Sequence, residues 1–112
     1  MNIAELIPRP SEKEAFLRSR ERFVPATSGC YVLTTLEGVV LYIGLAENLR
    51  RRMGQHLDNP EKTGLTKVGR AIFFHWYESG DTRKIERTWF NIHIQHEGAL
   101  PELNRVYSPT FT

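Results

Sequence analysis

Cysteine is nearly absent: Cys30 is the only one in the 112-residue chain, which excludes an internal disulfide and any zinc site built on a Cys-x-x-Cys pair. Long apolar runs are missing as well. None approaches the roughly 20 residues needed to cross a bilayer, and the opening MNIAELIPRP lacks the basic-then-apolar layout of a signal peptide. The cytoplasm is therefore the expected compartment, with no membrane partner. A strong net charge is lacking too, and +2 is too mild to point to a polyanionic partner by itself. Repeats and low-complexity tracts are absent. What remains, 40% hydrophobic and 25% charged residues, suits an ordinary globular chain, and its length allows one compact domain with one sizeable core.

The charge that is present is clustered. Arg50, Arg51 and Arg52 run together, with further basic groups at Arg18, Arg20 and Arg22, at Lys67 and Arg70, and at Arg83, Lys84 and Arg87. Taken alone, such clusters describe a solvated face. They gain meaning only beside chemistry.

Ser11 followed by Glu14 has the form of a capping box, so residues 11–22 read as a helix, and residues 1–27 as an N-terminal addition ending in a Pro25-containing linker. Residues 29–35 and 39–43 are β-branched and aromatic, and predict a hairpin around Glu37-Gly38. A two-residue turn there sets Leu33 opposite Tyr42 and Tyr31 opposite Gly44, with both tyrosines on one face. From Glu47 to Leu57 the period changes: Leu45, Leu49, Met53 and Leu57 mark the buried stripe of a helix, and Asn48, Arg52 and His56 form a second stripe beside it. Gly54 weakens that helix by about 1 kcal/mol relative to alanine. Residues 58–69 read as a long loop and 70–78 as a strand. A second helix is expected from the N-cap Asp81 to Glu97, stopped by Gly98 and carrying Ile85, Trp89 and Ile92 on its apolar side with Glu86 one position round. Residues from 100 onward read as irregular or as a short last strand.

Gly29-Cys30-Tyr31, ten residues, Tyr42-Ile43-Gly44, then Asn48-Leu49, Arg52 and His56, Glu86, and Pro101-Glu102-Leu103-Asn104 together resemble the signature of the GIY-YIG nuclease superfamily. That superfamily includes a catalytic domain of the nucleotide-excision-repair excinuclease and some homing endonucleases. The resemblance implies an α+β fold, a small, mainly antiparallel three-stranded sheet flanked by helices, with the domain proper at 28–105 and a tail at 106–112. It implies a divalent-metal-dependent endonuclease acting on nucleic acid, most directly DNA, with one Mg²⁺ (or Mn²⁺) held by Glu86. In that reading Tyr31 contacts the attacking water and, with Tyr42, passes its proton away. Arg52 clamps a phosphate oxygen, His56 receives the proton or binds phosphate, and Asn104 orients the metal site. Gly29 and Gly44 would let the strand ends pack closely, while Arg50, Arg51, Lys67 and Arg70 would grip the backbone.

Each residue also has a plainer reading. Strand tyrosines pack cores, arginines beside arginines are solvated, a glutamate between Arg83 and Arg87 forms an exposed ion pair, and Asn104 suits a turn. None of these predicts the joint spacing. His75, His93 and His96 do not form a recognised zinc set without a cysteine pair. Cys30 should be a small core residue facing away from the tyrosines, and Trp76, Trp89, Phe73 and Phe90 are core candidates. Leu45 and Ala46 stand where relatives often have a basic or small polar residue. Two further readings stay open: a non-catalytic nucleic-acid-binding or partner-recruiting module of the same fold, and a nuclease for RNA or for branched or damaged DNA. A protein partner or a homodimer as the source of specificity is likewise open.

Overall fold

A computed structural model describes residues 1–105; residues 106–112, set apart above as a tail, lie outside the described residues. At the centre are β2 (Gly29–Thr34) and β3 (Val40–Ala46), antiparallel, with Tyr31 opposite Gly44 and Leu33 opposite Tyr42. That is the expected register, reached by another route. The turn is not two residues long. Thr35 pairs with Val39 and accepts from the Gly38 amide, leaving Leu36, Glu37 and Gly38 as a three-residue loop in which Gly38 takes a positive φ of 89°. By itself the longer loop would slip the strands by one residue. A bulge between Leu33 and Thr34, which pairs Thr34 with Val40 and skips Leu41, cancels the slip before the tyrosines are reached.

β4 (Phe73–Glu78) pairs antiparallel with β2 on the other side, shorter than the span expected from residue 70. Beyond it lies a strand that corrects the sequence reading. Residues 11–22 are not a helix: Glu12–Ala15 form β1, and Arg18–Phe23 form a 3-10 segment. The sheet is thus four-stranded rather than three-stranded, in the order β1-β4-β2-β3. The residues of β1 favour helix, but local propensity is weak beside a row of unpaired β4 backbone groups. The Ser11 amide donates to the Trp76 carbonyl at 3.0 Å, so the expected cap residue opens the strand pairing instead. Residues 1–27 therefore belong to the domain's own sheet and core, with Leu6, Phe16 and Val24 all buried.

Two helices sandwich the sheet. α1 (Leu49–Leu57) begins two residues later than expected, because Asn48 is its N-cap and accepts from the Arg51 amide at 3.0 Å. Its Leu49 and Met53 pack with Tyr31, Leu33, Phe74 and Trp76 on one sheet face. α1 tolerates Gly54 because the Glu21 carboxylate occupies the space a Cβ would need, seating the 3-10 segment on the helix. A one-turn helix, α2 (Pro60–Thr63), and a tight Thr66–Gly69 turn give the expected loop more order than its punctuation suggested. On the opposite face α3 (Thr82–Glu97) buries Trp89 against Cys30, Val32, Ile43 and Leu6. Burying each such large apolar side chain contributes roughly 1.5–3 kcal/mol. Strand alternation thus sends Cys30 and Tyr31 to opposite cores, and Cys30 contacts the Thr82 carbonyl. Past α3, Glu102–Asn104 form a 3-10 turn rather than a strand.

Candidate functional site

The site begins with a missing side chain. A Cβ on Gly44 would lie 2.5 Å from both Cζ and the hydroxyl oxygen of Tyr31, so the Tyr31 ring can cross β3 only where the facing residue is glycine. The ring stacks on Phe74, centroids 5.0 Å apart, and its hydroxyl meets Nε2 of His56 at 2.5 Å. Tyr42 completes an aromatic trio, 6.0 Å from the Tyr31 ring and edge-on to His56 at 5.1 Å. Gly29 is equally confined, since a Cβ there would lie 2.6 Å from the Tyr77 carbonyl and 2.9 Å from the Leu49 side chain.

Arg52 stands one turn before His56 on α1, tethered by an N–H to the Leu45 carbonyl at 3.3 Å. Glu86 comes from the opposite layer. β3 is the edge strand, so α3 can bring Glu86 round that edge to the side of Gly44. Tyr31, Tyr42, Arg52 and Glu86 consequently line one cleft of about 450 Å³. Arg51, Arg83 and Glu47 share its wall.

Burial sets the protonation states. It pushes the Tyr31 phenol well above its ordinary value, with Tyr42 adding to the rise and Arg52 opposing it. Tyr42 is raised by burial as well. His56 falls to about 3, from burial first and then from the positive charges of Lys62 and Arg52. With the phenol protonated and the imidazole uncharged, Tyr31 O–H donates to His56 Nε2 in the tautomer that carries the ring proton on Nδ1. Glu86 is raised by desolvation, partly countered by Arg83. It forms none of the ion pairs found among the described residues, so the plainer reading of it as half of an exposed pair does not hold.

Other expected residues are placed differently. Asn104 lies outside the cleft, and its side-chain amide is fully engaged with Ile43: Oδ1 accepts from the Ile43 amide and Nδ2 donates to its carbonyl, both at 2.9 Å. It acts as a one-residue strand partner that fixes β3 between Tyr42 and Gly44. Arg50 does not line the cleft; its guanidinium donates to the Val24 carbonyl at 2.8 Å and to that of Arg22 at 3.3 Å, which makes it a clamp on the N-terminal segment. Lys67 and Arg70 lie on the loop before β4 and do not line the cleft. The three histidines considered for zinc are dispersed: His75 bonds Thr34 at 2.8 Å, His93 bonds the Ala99 carbonyl at 2.7 Å, and His96 sits near Glu5.

No group of three or more potential ligating side chains occurs among the described residues. A hard cation of the Mg²⁺ type does not need one. It is commonly held by one or two carboxylates, with water and substrate phosphate completing the shell, and a half-buried carboxylate without an ion pair at a cleft wall suits that pattern. Two features near the site go beyond the sequence reading. Arg83, legible in the sequence only as part of a basic group, precedes Glu86 by three residues, shares its helix face and lines the cleft. Lys62 carried no signal, because it falls within the expected loop.

Comparison with known proteins agrees with this architecture. Residues 27–99, well over half of the chain, match the family model described as the GIY-YIG catalytic domain. The chain is 34% identical over 55 residues to the UvrABC system protein C of Methanosarcina acetivorans, covering 46% of this chain and 11% of that protein. It is 24% identical over 108 residues to the UvrABC system protein C of Prochlorococcus marinus, covering 85% of this chain and 16% of that protein. The chain therefore spans only a small part of the length of these relatives.

Proposed function

The chain belongs to the GIY-YIG catalytic domain family, a nuclease fold, and on that premise we propose that it is a divalent-metal-dependent endonuclease that hydrolyses DNA phosphodiester bonds. The observation that carries this reading is the convergence of Tyr31, Tyr42, Arg52 and Glu86, drawn from three layers of the fold, on one cleft. Hydrolysis needs a proton taken from water and charge neutralised on the phosphate. The Tyr31 oxygen can accept a water proton as its own proton passes along the hydrogen bond to His56 Nε2, leaving a neutral phenol and a charged imidazole. Tyr42 walls this path and orients the water. Arg52, tethered at Leu45, would clamp a non-bridging oxygen with its guanidinium fork. Glu86 would hold one Mg²⁺ or Mn²⁺, which supplies Lewis-acid neutralisation of the phosphate when bound. Arg51 and Arg83 give the cleft a positive wall suited to a polyanion. Their contacts would be to phosphate, and for that reason the choice of DNA is tested against RNA.

The test is nicking of supercoiled plasmid with Mg²⁺ by the wild type and by Glu86→Ala, Tyr31→Phe and Arg52→Ala. Each variant should lose about 10²-fold or more in rate while staying folded. Equal nicking by all four proteins would sink the assignment. Preferential cleavage of labelled RNA would retain the site and change its substrate.

A further inference from the structure

Lys62 is a charged residue in an unusual place. It lies on α2, is only 8% exposed, and rests its Nζ 4.7 Å from the centroid of the Tyr42 ring. The ion pairs among the described residues join Glu97 to the N-terminus, Arg18 to Glu21 and Asp58, Arg20 to Glu14, and His96 to Glu5, and none involves Lys62. A lysine covered by protein and outside any of these ion pairs is held against the tendency of such groups to stay in water: burial lowers its pKa, the Glu61 carboxylate opposes that fall, and its ammonium rests on the electron-rich face of Tyr42. That ring is also the one that stands edge-on to His56. Lys62 is thus one ring away from the Tyr31–His56 hydrogen bond.

We propose that Lys62 is a positioning residue of this site, holding the Tyr42 ring against His56 and placing a positive charge behind the Tyr31–His56 hydrogen bond. The proposal rests on the hydrolytic reading above, but its structural half does not. The groups that face His56 are Tyr31 from β2, Tyr42 from β3, Arg52 from α1 itself and Lys62 from α2. Arg18 and Glu21, from the 3-10 segment against α1, meet the helix at Gly54 and pair with each other. Of the two cations near His56, Arg52 is tied to the Leu45 carbonyl, so Lys62 is the one whose charge can be removed without disturbing the phosphate clamp. That charge disfavours a protonated imidazole. Without it Nε2 takes up protons at higher pH, and the Tyr42 ring loses its rear support, which is what lowers the rate.

The experiment compares the whole chain with Lys62→Met, which keeps length and apolar packing, Lys62→Gln as a second neutral form, and Lys62→Arg. The first readout is the His56 ring titration followed by NMR, which does not depend on any activity. Removing the charge should move that titration to higher pH in both neutral variants, and arginine should restore it. The second is the pH–rate profile for plasmid nicking, where the neutral variants should show kcat lower by about tenfold with little change in KM, and an acid limb displaced to higher pH. An unchanged His56 titration in a folded neutral variant overturns the proposal. A shifted titration in a protein whose wild type cleaves no nucleic acid keeps the electrostatic role of Lys62 and removes the nuclease reading instead. Loss of rate with an unmoved profile, not rescued by arginine, would assign Lys62 to packing alone and also overturn it.

Discussion

The phenol of Tyr31 and Nε2 of His56 meet at 2.5 Å in a setting where Tyr31 is fully buried and His56 nearly so. A strand residue and a helix residue are thereby joined through the phenol oxygen of one and a ring nitrogen of the other, both atoms able to exchange a proton. If that bond is the proton path, His56→Ala should lower nicking by about 10²-fold or more with KM little changed, because general acid–base groups contribute in that range. Single-turnover rates at saturating DNA measure this. A variant that cuts at the wild-type rate would remove His56 from the path and leave it as packing for the tyrosines.

Acid should destabilise the fold well before its carboxylates are neutralised. His56 is lowered to about 3 and His75 to about 4 from an ordinary 6.5, both chiefly by burial. In the unfolded chain these rings take up protons below about pH 6.5, whereas in the folded one they do not until about pH 3 to 4. Between those limits the unfolded state binds more protons, so stability should be full above 6.5 and fall as the pH is lowered. Urea midpoints from pH 7.5 to 4 should show this slope. It should flatten in His75→Gln, in which one of the three buried rings, His56, His75 and His93, is gone.

Gly44→Ala tests the crossing of Tyr31 over β3. The added methyl must displace a ring that is stacked on Phe74 and bonded to His56, and overpacking of this kind costs typically about 1–3 kcal/mol. A denaturant midpoint lowered accordingly, with nicking reduced far more than stability explains, is expected. Wild-type activity in that variant would mean that the Tyr31 position is not critical.

Neighbouring arginines on α1 should separate cleanly. Arg51 and Arg83 line the cleft, so replacing either with alanine should weaken DNA binding and reduce the salt slope by about one. Arg50→Ala should leave the slope unchanged and lower the unfolding midpoint, because its guanidinium holds the carbonyls of Val24 and Arg22. Binding titrations from low to moderate salt distinguish the two outcomes.

The parts of the fold legible in the sequence are those where local pattern and tertiary demand agree. The stripe Leu49, Met53 and Leu57, the Gly98 stop and the alternation that parts Cys30 from Tyr31 are of this kind. The tyrosine register comes out right from a turn that does not exist. A loop residue more and a bulge at Leu41 offset one another, and neither has a signature as plain as Glu37-Gly38. β1 misleads because its residues favour helix and only the unpaired edge of β4 makes them a strand. Of the site, Tyr31, Tyr42, Arg52 and Glu86 are what the resemblance to the GIY-YIG family implies, and the structure brings them together. Asn104 can be found but not its task, since bonding to the Ile43 backbone depends on where the chain returns after α3. Lys62 lies beyond reach, as its burial is a property of the assembled site.

The strand Glu12–Ala15 has a consequence for the extent of the folding unit. It insulates β4, whose backbone would otherwise offer an open template beside the aromatic run Phe73 to Tyr77. Its own outer edge, by contrast, carries Glu12, Lys13 and Glu14, charges that discourage another strand from docking. A chain trimmed to residues 27–99, the span that matches the family, would lose this shield along with the Asn104 brace on β3. Such a fragment should self-associate in light scattering as its concentration rises, more than the whole chain does. The segment that matches the family model is thus smaller than the unit that shields its own sheet.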